Sequence, residues 1–418
     1  MGDIGKVICP PYDVISPAFR EELYRRSDFN FVRVEYAQET AHDSEHDNRY
    51  TRAASTFREW LSRGILTVDA TPAIYVDRHH FTYEGKTYQR RDISCIIRLE
   101  PWEAGVVRPH ESTFPRAKSD RLNLLYALQA NTSPIMALYE DRNSSISTAL
   151  SGLENTDPLY TASTGGGEYH EFYAVTDARS ISTICGVLAD VPVYIADGHH
   201  RYESALTYQK ERRARITTPV GSEPFDYVMI TLVDFADPGL VLLPAHRMIR
   251  DSYLEALHTG MADFFNIKNV PVEKGNEATQ ASKLLAEKSG SPLLVLYGLQ
   301  PDLFIVLTVK ESANIDSTIP YFHTDIYRSL DVSILDHVIL DHLLGINADT
   351  LSSHVSYTNV TQEAISEVDK GHCQFSVLLN PVKPEVLKSI ADRGDRMPRK
   401  STYFYPKIPA GMVVYNFG

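Results

Sequence analysis

Long apolar runs are missing from this 418-residue chain. The most apolar stretches, such as SPLLVLYGL at 291–299, fall well short of the ~20 residues that cross a bilayer, so no membrane span is expected. Cysteine is scarce: Cys9, Cys95, Cys185 and Cys373 stand far apart. No C-x-x-C pair suggests zinc and no dense framework suggests a secreted disulfide scaffold, which reads as reduced thiols in a cytoplasmic protein. Positive charge is also short, with 41 Lys and Arg against 54 Asp and Glu and a formal charge of −13. Such a surface repels polyanions, so nucleic acid is excluded as a general partner, while a local basic pocket for one small anion is not. The opening MGDIGKVICPPYDVIS lacks the charged and apolar regions of a secretory signal. The G-x-S-x-G elbow, the H-E-x-x-H helix and the G-x-G-x-x-G turn are absent, and serine-hydrolase, zincin and Rossmann chemistry lose their main support.

What is present is a chain large enough for several lobes, with 43% hydrophobic residues. Its pattern predicts an α+β fold, with mixed sheets and flanking helices. SPAFREELYRRSD reads as a helix capped by Ser16 with Pro17 in its first turn. NFVRVEYA reads as a strand, RYTRAASTFREWLSRGIL as a helix closed by glycine, and AIYVDRHHFTYEGKTYQRRDISCIIRLE as paired strands around Glu84 and Gly85. Similar hairpins are expected at EYHEFYAVTD and SPLLVLYGLQPDLFIVLTVK. TASTGGGEYHE has no lysine or Ser/Thr of a phosphate loop and reads as a hairpin tip. RRARITTPVGSEPF at 212–225 reads as a loop that ends a helix. Three segments follow: 1–140 as an α/β lobe, 141–235 as a hairpin plus a phosphate-binding element, and 236–418 as an α/β lobe with a docked tail.

The densest chemistry is YIADGHHRYESAL at 194–206. An apolar run, a glycine turn and a helix place unpaired N–H groups and the positive helix end at one spot, which suits a phosphate oxygen. Asp197, Gly198, His199, His200 and Arg201 are therefore candidate phosphate or nucleotide contacts. Arg201 would act as a clamp, and His200 would also carry a proton. The structural alternative is that Asp197 merely caps the helix. Adjacent histidines do not share a helical face, so no metal is assigned here. On this reading Arg201→Ala weakens phosphate binding and leaves the fold intact.

VVRPHESTFPRAKSDRLNLLYAL at 106–128 gathers Arg108, His110, Glu111, Arg116, Lys118, Asp120 and Arg121 before a helix that Ser119 could cap. Here Glu111 is the candidate general base and His110 a second catalytic candidate, while Lys118 and Arg121 would neutralise phosphate charge. A solvated charged loop is the structural alternative. RMPRKSTYFYPKIPAGMVVYNF at 396–417 interleaves Lys400, Ser401, Thr402 and Lys407 with aromatics. It is too aromatic to stay in water, so docking is expected, and Lys400 and Ser401 are candidate ligand contacts. CPPYDVIS, with Tyr12 and Asp13, and LLPAHRMI, with His246 and Arg247, read as structural.

PPYDVIS, RPHESTF, IADGHHRYESAL, LLPAHR and MPRKSTYFYPK, in that order, resemble the bacterial and archaeal domain-of-unknown-function family 1015. Members of that family begin somewhat upstream of Met1. Asp197 to Ala205 also resembles the nucleotide-phosphate box of ParB/sulfiredoxin-like proteins, which include free-serine kinases with a similar D-G-H-H-R turn and a glutamate base. The resemblance implies a ParB/sulfiredoxin-like nucleotide-binding element within a larger multi-lobed chain, with Gly198, His199, His200 and Arg201 on the phosphates. It further implies ATP or ADP with Mg2+, a small amino-acid substrate, and interconversion of serine and phosphoserine in the kinase or the phosphatase direction. A non-catalytic nucleotide-binding regulator of ParB type is the alternative. Neither the direction of reaction nor the oligomeric state follows from the residues.

Overall fold

The computed structural model describes residues 3–113, 115–216, 221–252, 254–287 and 291–418. The chain divides into two compact units, one of 1–109, 113–241 and 406–418, the other of 110–112 and 242–405.

The first unit is built on an eight-stranded sheet. Its central hairpin, Ile74–Tyr83 with Lys86–Arg98, turns at Glu84 and Gly85, both at positive φ, as a two-residue loop that follows strand twist requires. Ile74–Tyr83 also pairs with Glu168–Val175, which turns through Gly165–Gly167 onto edge strand Tyr160–Gly165. On the other side Tyr227–Asp234, Ile135–Tyr139, Val193–Asp197 and the two-residue Val107–Arg108 complete the order. Tyr227–Asp234 with Ile135–Tyr139, and Val107–Arg108 with Val193–Asp197, are parallel pairs, so the sheet is mixed. Val193–Asp197 and Ile135–Tyr139 are almost wholly buried, which is why their sequences are continuous apolar runs without alternation. Helices Pro17–Arg26, Arg49–Ser62, Pro115–Leu128 and His199–Arg213 pack into two apolar clusters that contain Trp60, Phe57, Leu128, Ile195, Tyr202 and Ile230.

The second unit has a six-stranded sheet that includes the expected hairpin Leu293–Tyr297 with Leu303–Val309. Helices Leu254–Phe264 and Glu277–Leu285 and a π-helix, Leu335–Leu343, belong to it. The fold is α+β with mixed and antiparallel sheets.

Ser16 caps its helix through Phe19 N–H at 3.2 Å. NFVRVEYA is not a strand: Val32–Glu35 is one helical turn with Val32, Val34 and Glu35 all buried. A strand covered on both faces would show the same burial, so the sequence pattern does not separate the two, and the packing of this segment decides for the turn. Ser119 lies inside Pro115–Leu128 and does not cap it; a proline at the first helical position gives up no intrahelical bond, so the helix starts there. Segments 1–140 and 141–235 share one sheet and hence one unit, because strands from both hydrogen-bond side by side. GLVLLPAHRMI splits into Val241–Leu243 and His246–Ile249 around its proline. The loop after His199–Arg213 includes residues 217–220, which lie outside the described residues, as does the side chain of Arg116.

Candidate functional site

Val193–Asp197 ends on Asp197, and Gly198 follows at φ 96°, ψ 26° as the N-cap of the 15-residue helix His199–Arg213. A glycine cap has no side-chain acceptor for the first helical turn, so the positive end of the helix is left to other partners. A Cβ at Gly198 would lie 2.9 Å from Arg201 Nε. Gly198→Ala is expected to lose about 1–2 kcal/mol from the left-handed backbone alone, and to push Arg201 aside; a denaturant titration and an inorganic-phosphate titration check the two effects.

Arg201 is nine-tenths buried and doubly engaged. Nη2 donates to Asp197 Oδ2 at 2.5 Å, and Nη1 donates to the Pro134 carbonyl. Burial alone would pull its pKa down, but the negative charges of Asp197 and Asp13 outweigh that and raise it. The other oxygen of Asp197 accepts from Lys407 Nζ. Two cations therefore share one carboxylate at a helix N-terminus. Lys407 was read as part of a docked tail; the residues 406–418 that carry it belong to the same unit as Asp197. His199 is buried and His200 half-buried in the first turn.

Behind Arg201 lies a polar core that sequence reading missed. Arg121 and Arg201 line a cavity of about 30 Å³ with Thr132 and Ser133, room for a water or two and no more. Arg121 does not face solvent as a phosphate cation. Nη1 donates to Glu35 Oε1 at 3.2 Å, Nε donates to Asp120 Oδ2 at 2.7 Å, and the guanidinium sits 3.9 Å from the Tyr12 ring centre. Glu35 is fully buried and also accepts from Ser133 Oγ at 2.9 Å and from Thr132 Oγ1. Burial pushes the Tyr12 hydroxyl up to about 12, with Arg121 opposing and Asp13 adding. Tyr12 thus does more than shape a turn. The available signals were the PPYD turn and the Thr132-Ser133-Pro134 run. Glu35 gave none, because a buried acid inside an apolar turn looks like a misplaced surface residue.

Lys118 Nζ is 3.6 Å from Glu203 Oε2, and Thr113 Oγ1 donates to the same oxygen at 2.7 Å. Glu111 and His110 belong to the second unit. There Glu111 Oε1 accepts from the backbone N–H of Lys400 at 2.9 Å, and His110, fully buried, bonds Thr402 Oγ1 at 3.0 Å. Ser401 is buried and donates to the Pro398 carbonyl at 2.5 Å. His110, Glu111, Lys400 and Ser401 therefore anchor the 397–402 segment. In the same unit His246 takes Leu379 N–H and Thr361 Oγ1, and burial pulls its pKa down to about 4.

A second cavity, about 630 Å³, lies within the second unit beside the π-helix, with His323, Tyr327, Asp336, His337, Arg393 and Arg396 in its wall. This is the volume class of small-molecule sites. Burial raises Asp336 to about 6, against the pull of Arg247 3.6 Å away. None of these wall residues is a candidate in the sequence reading; Arg396 only opens the RMPRKSTYFYPK segment.

The first unit thus presents a strand–glycine–helix corner where Arg201 and Lys407 meet Asp197, on a mixed sheet. The chain belongs to the protein family of unknown function DUF1015, whose model matches residues 2–333. No curated protein matches it. Among solved structures it is similar to a free serine kinase in complex with AMP, at 10% identity and TM-score 0.36, covering 74% of this chain and 86% of that one. It is also similar to a conserved hypothetical protein from Pyrococcus furiosus, at 12% and 0.35, covering 76% and 93%. SbnI with a C-terminal truncation, from Staphylococcus aureus, stands at 8% and 0.36, covering 75% and 84%. At such scores the likeness carries no argument about activity. No described helix is long and apolar enough to cross a membrane.

Proposed function

We propose that the protein binds a nucleotide by its phosphates at the Asp197–Arg201 corner and moves a phosphoryl group between that nucleotide and the hydroxyl of serine, in the kinase or the phosphatase direction. The observation that carries this reading is the convergence of Arg201 and Lys407 on Asp197, beside Gly198 at the start of a 15-residue helix. Such transfer needs positioned cations more than covalent chemistry. Asp197, Gly198, His199, His200 and Arg201 form the seat, as the D-G-H-H-R resemblance implies. Lys407 joins them, and Lys118, 3.6 Å from Glu203 on the helix that Gly198 caps, is a further candidate cation. Arg121 supports the seat from behind. Magnesium enters with the phosphates and neutralises their charge, which takes few protein ligands. Asp197, already shared by two cations, is a poor direct ligand for it.

The test is turnover: serine with ATP or ADP, and phosphoserine with ADP, AMP or no nucleotide, each with magnesium, following inorganic phosphate and both amino acids. Lys407→Met should weaken nucleotide binding at least ~10-fold, the loss of one charge-assisted contact. Arg393→Ala, in the wall of the 630 Å³ cavity, should leave binding unchanged, and the reverse pattern would move the site to the second unit. Glu111→Gln keeps one acceptor oxygen for Lys400 N–H while it removes the charge and exchanges the other oxygen for an amide N–H2, so lost turnover with intact stability supports Glu111 as the base. Normal turnover in that variant places the base elsewhere. Nucleotide binding with no turnover on any substrate favours the regulatory alternative.

A further inference from the structure

Strand Ile74–Tyr83 carries Asp77 and His79 two residues apart, hence on one sheet face. The register with Glu168–Val175 sets His79 directly opposite His170, and the two rings stack with centres 4.1 Å apart. All three residues are buried, both histidines completely. One ligating atom from each lies within 4.8 Å of the others.

Three polar atoms here have no hydrogen-bond partner: Asp77 Oδ1, His79 Nε2 and His170 Nε2. Buried polar groups are normally satisfied, so three neighbouring exceptions need an explanation. His170 supplies the first part. Its Nδ1–H donates to Asp77 Oδ2 at 2.8 Å, which turns the lone pair of the neutral ring onto Nε2. A carboxylate behind an imidazole is the arrangement that orients metal-ligating histidines. His79 Nε2 has Glu168 Oε2 at 3.7 Å, too far for a hydrogen bond and close enough to share an ion. Arg90, locked to Asp92 by two bonds of 2.7 and 3.0 Å, keeps its Nη2 3.4 Å from His79 Nδ1 and balances part of the carboxylate charge.

We propose that His79 and His170, flanked by Asp77 and Glu168, form a binding site for a divalent transition ion of the zinc class. Imidazole and carboxylate donors suit zinc, and calcium or magnesium would want more oxygens. Ligand atoms around zinc stand about 3.4 Å apart with bonds of ~2.1 Å, so the cluster must tighten on loading. Glu168, partly exposed beside the Gly165–Gly167 turn, gives the ion its way in. Arg90 can only donate to His79 Nδ1, so the neutral ring holds its proton on Nε2, and ligation through Nε2 moves that proton to Nδ1 as Arg90 turns aside. The site stands four strands from Val193–Asp197 in the sheet order, ~19 Å at the usual strand spacing. It is independent of the nucleotide reading.

The probe is zinc(II) added to chelator-stripped full-length protein, followed by desalting and elemental analysis, with affinity from competition against a chromophoric chelator. One equivalent is expected. His79→Gln and His170→Gln should weaken binding at least ~100-fold, and Asp77→Asn, through His170, roughly 10–100-fold. His80→Gln should change nothing, since His80 faces the other side of the strand beside Glu171. Cobalt(II) on the unmodified protein should give the visible bands of a four-coordinate nitrogen–oxygen site, a readout that survives if the buried variants fail to fold. No retained zinc in the unmodified protein, or equal retention in His79→Gln, overturns the proposal.

Discussion

Glu35→Ala is expected to lower the stability of the first unit by about 3–5 kcal/mol, the range for breaking a buried ion pair from one side. Glu35 is completely inaccessible, and its two oxygens serve Arg121, Thr132 and Ser133. Alanine leaves a buried guanidinium short of one counter-charge, and each orphaned hydroxyl loses roughly 1 kcal/mol more. The loss is bounded because Arg121 keeps Asp120. Glu35→Gln, which preserves shape and one acceptor oxygen and offers an amide N–H2 from which the other hydroxyl can accept, should lose less than Glu35→Ala. Both tryptophans of the chain, Trp60 and Trp102, lie in the first unit, so tryptophan fluorescence in a urea titration follows this unit and not the other. Glu45→Ala, at an exposed position, is the control and should stay within ~0.5 kcal/mol. A Glu35→Ala loss under 1 kcal/mol would mean that Arg121 is satisfied without it.

The second large effect is Arg201→Ala, expected at about 2–4 kcal/mol together with loss of anion binding. The sequence alone predicts a binding defect in an intact fold. The structure changes that expectation, because the guanidinium is nine-tenths buried and ties Asp197 on the strand to the Pro134 carbonyl on a separate loop. Removing it strands that carbonyl and takes one of the two cations from Asp197, which keeps Lys407. Arg201→Lys restores a charge but not the forked geometry, and should recover less than half of the loss. Stability comes from the same urea titration, and anion binding from phosphate titration at a temperature where the variant is folded. If Arg201→Ala unfolds at the unmodified midpoint, the bridge through Arg201 is not what holds this corner.

The local readings that succeeded rest on local physics. Ser16 before Pro17, Glu84-Gly85 between alternating runs, and glycine at 198 before a helix each concern a few consecutive residues whose backbone preferences decide the outcome. The reading of NFVRVEYA failed for the complementary reason. Its apolar residues fit a strand or a buried turn equally, and only packing around Glu35 chose the turn. Arg121 had the same ambiguity: a cation in a charged segment reads as solvated until a buried acid 86 residues earlier meets it.

By itself the sequence determined the class of fold, the corner at Asp197–Arg201 and the docked aromatic tail, because hydrophobic period, turn chemistry and helix starts are written in neighbouring residues. Only tertiary structure decided that Lys407 joins Asp197, that Arg121 and Arg201 are interior cations, that Glu111 belongs to the second unit, and that His79 faces His170. The bonds that make these arrangements join residues as far apart as 86, 210 and 289 positions. Sheet register and burial set them, and neither is encoded by any one stretch of chain.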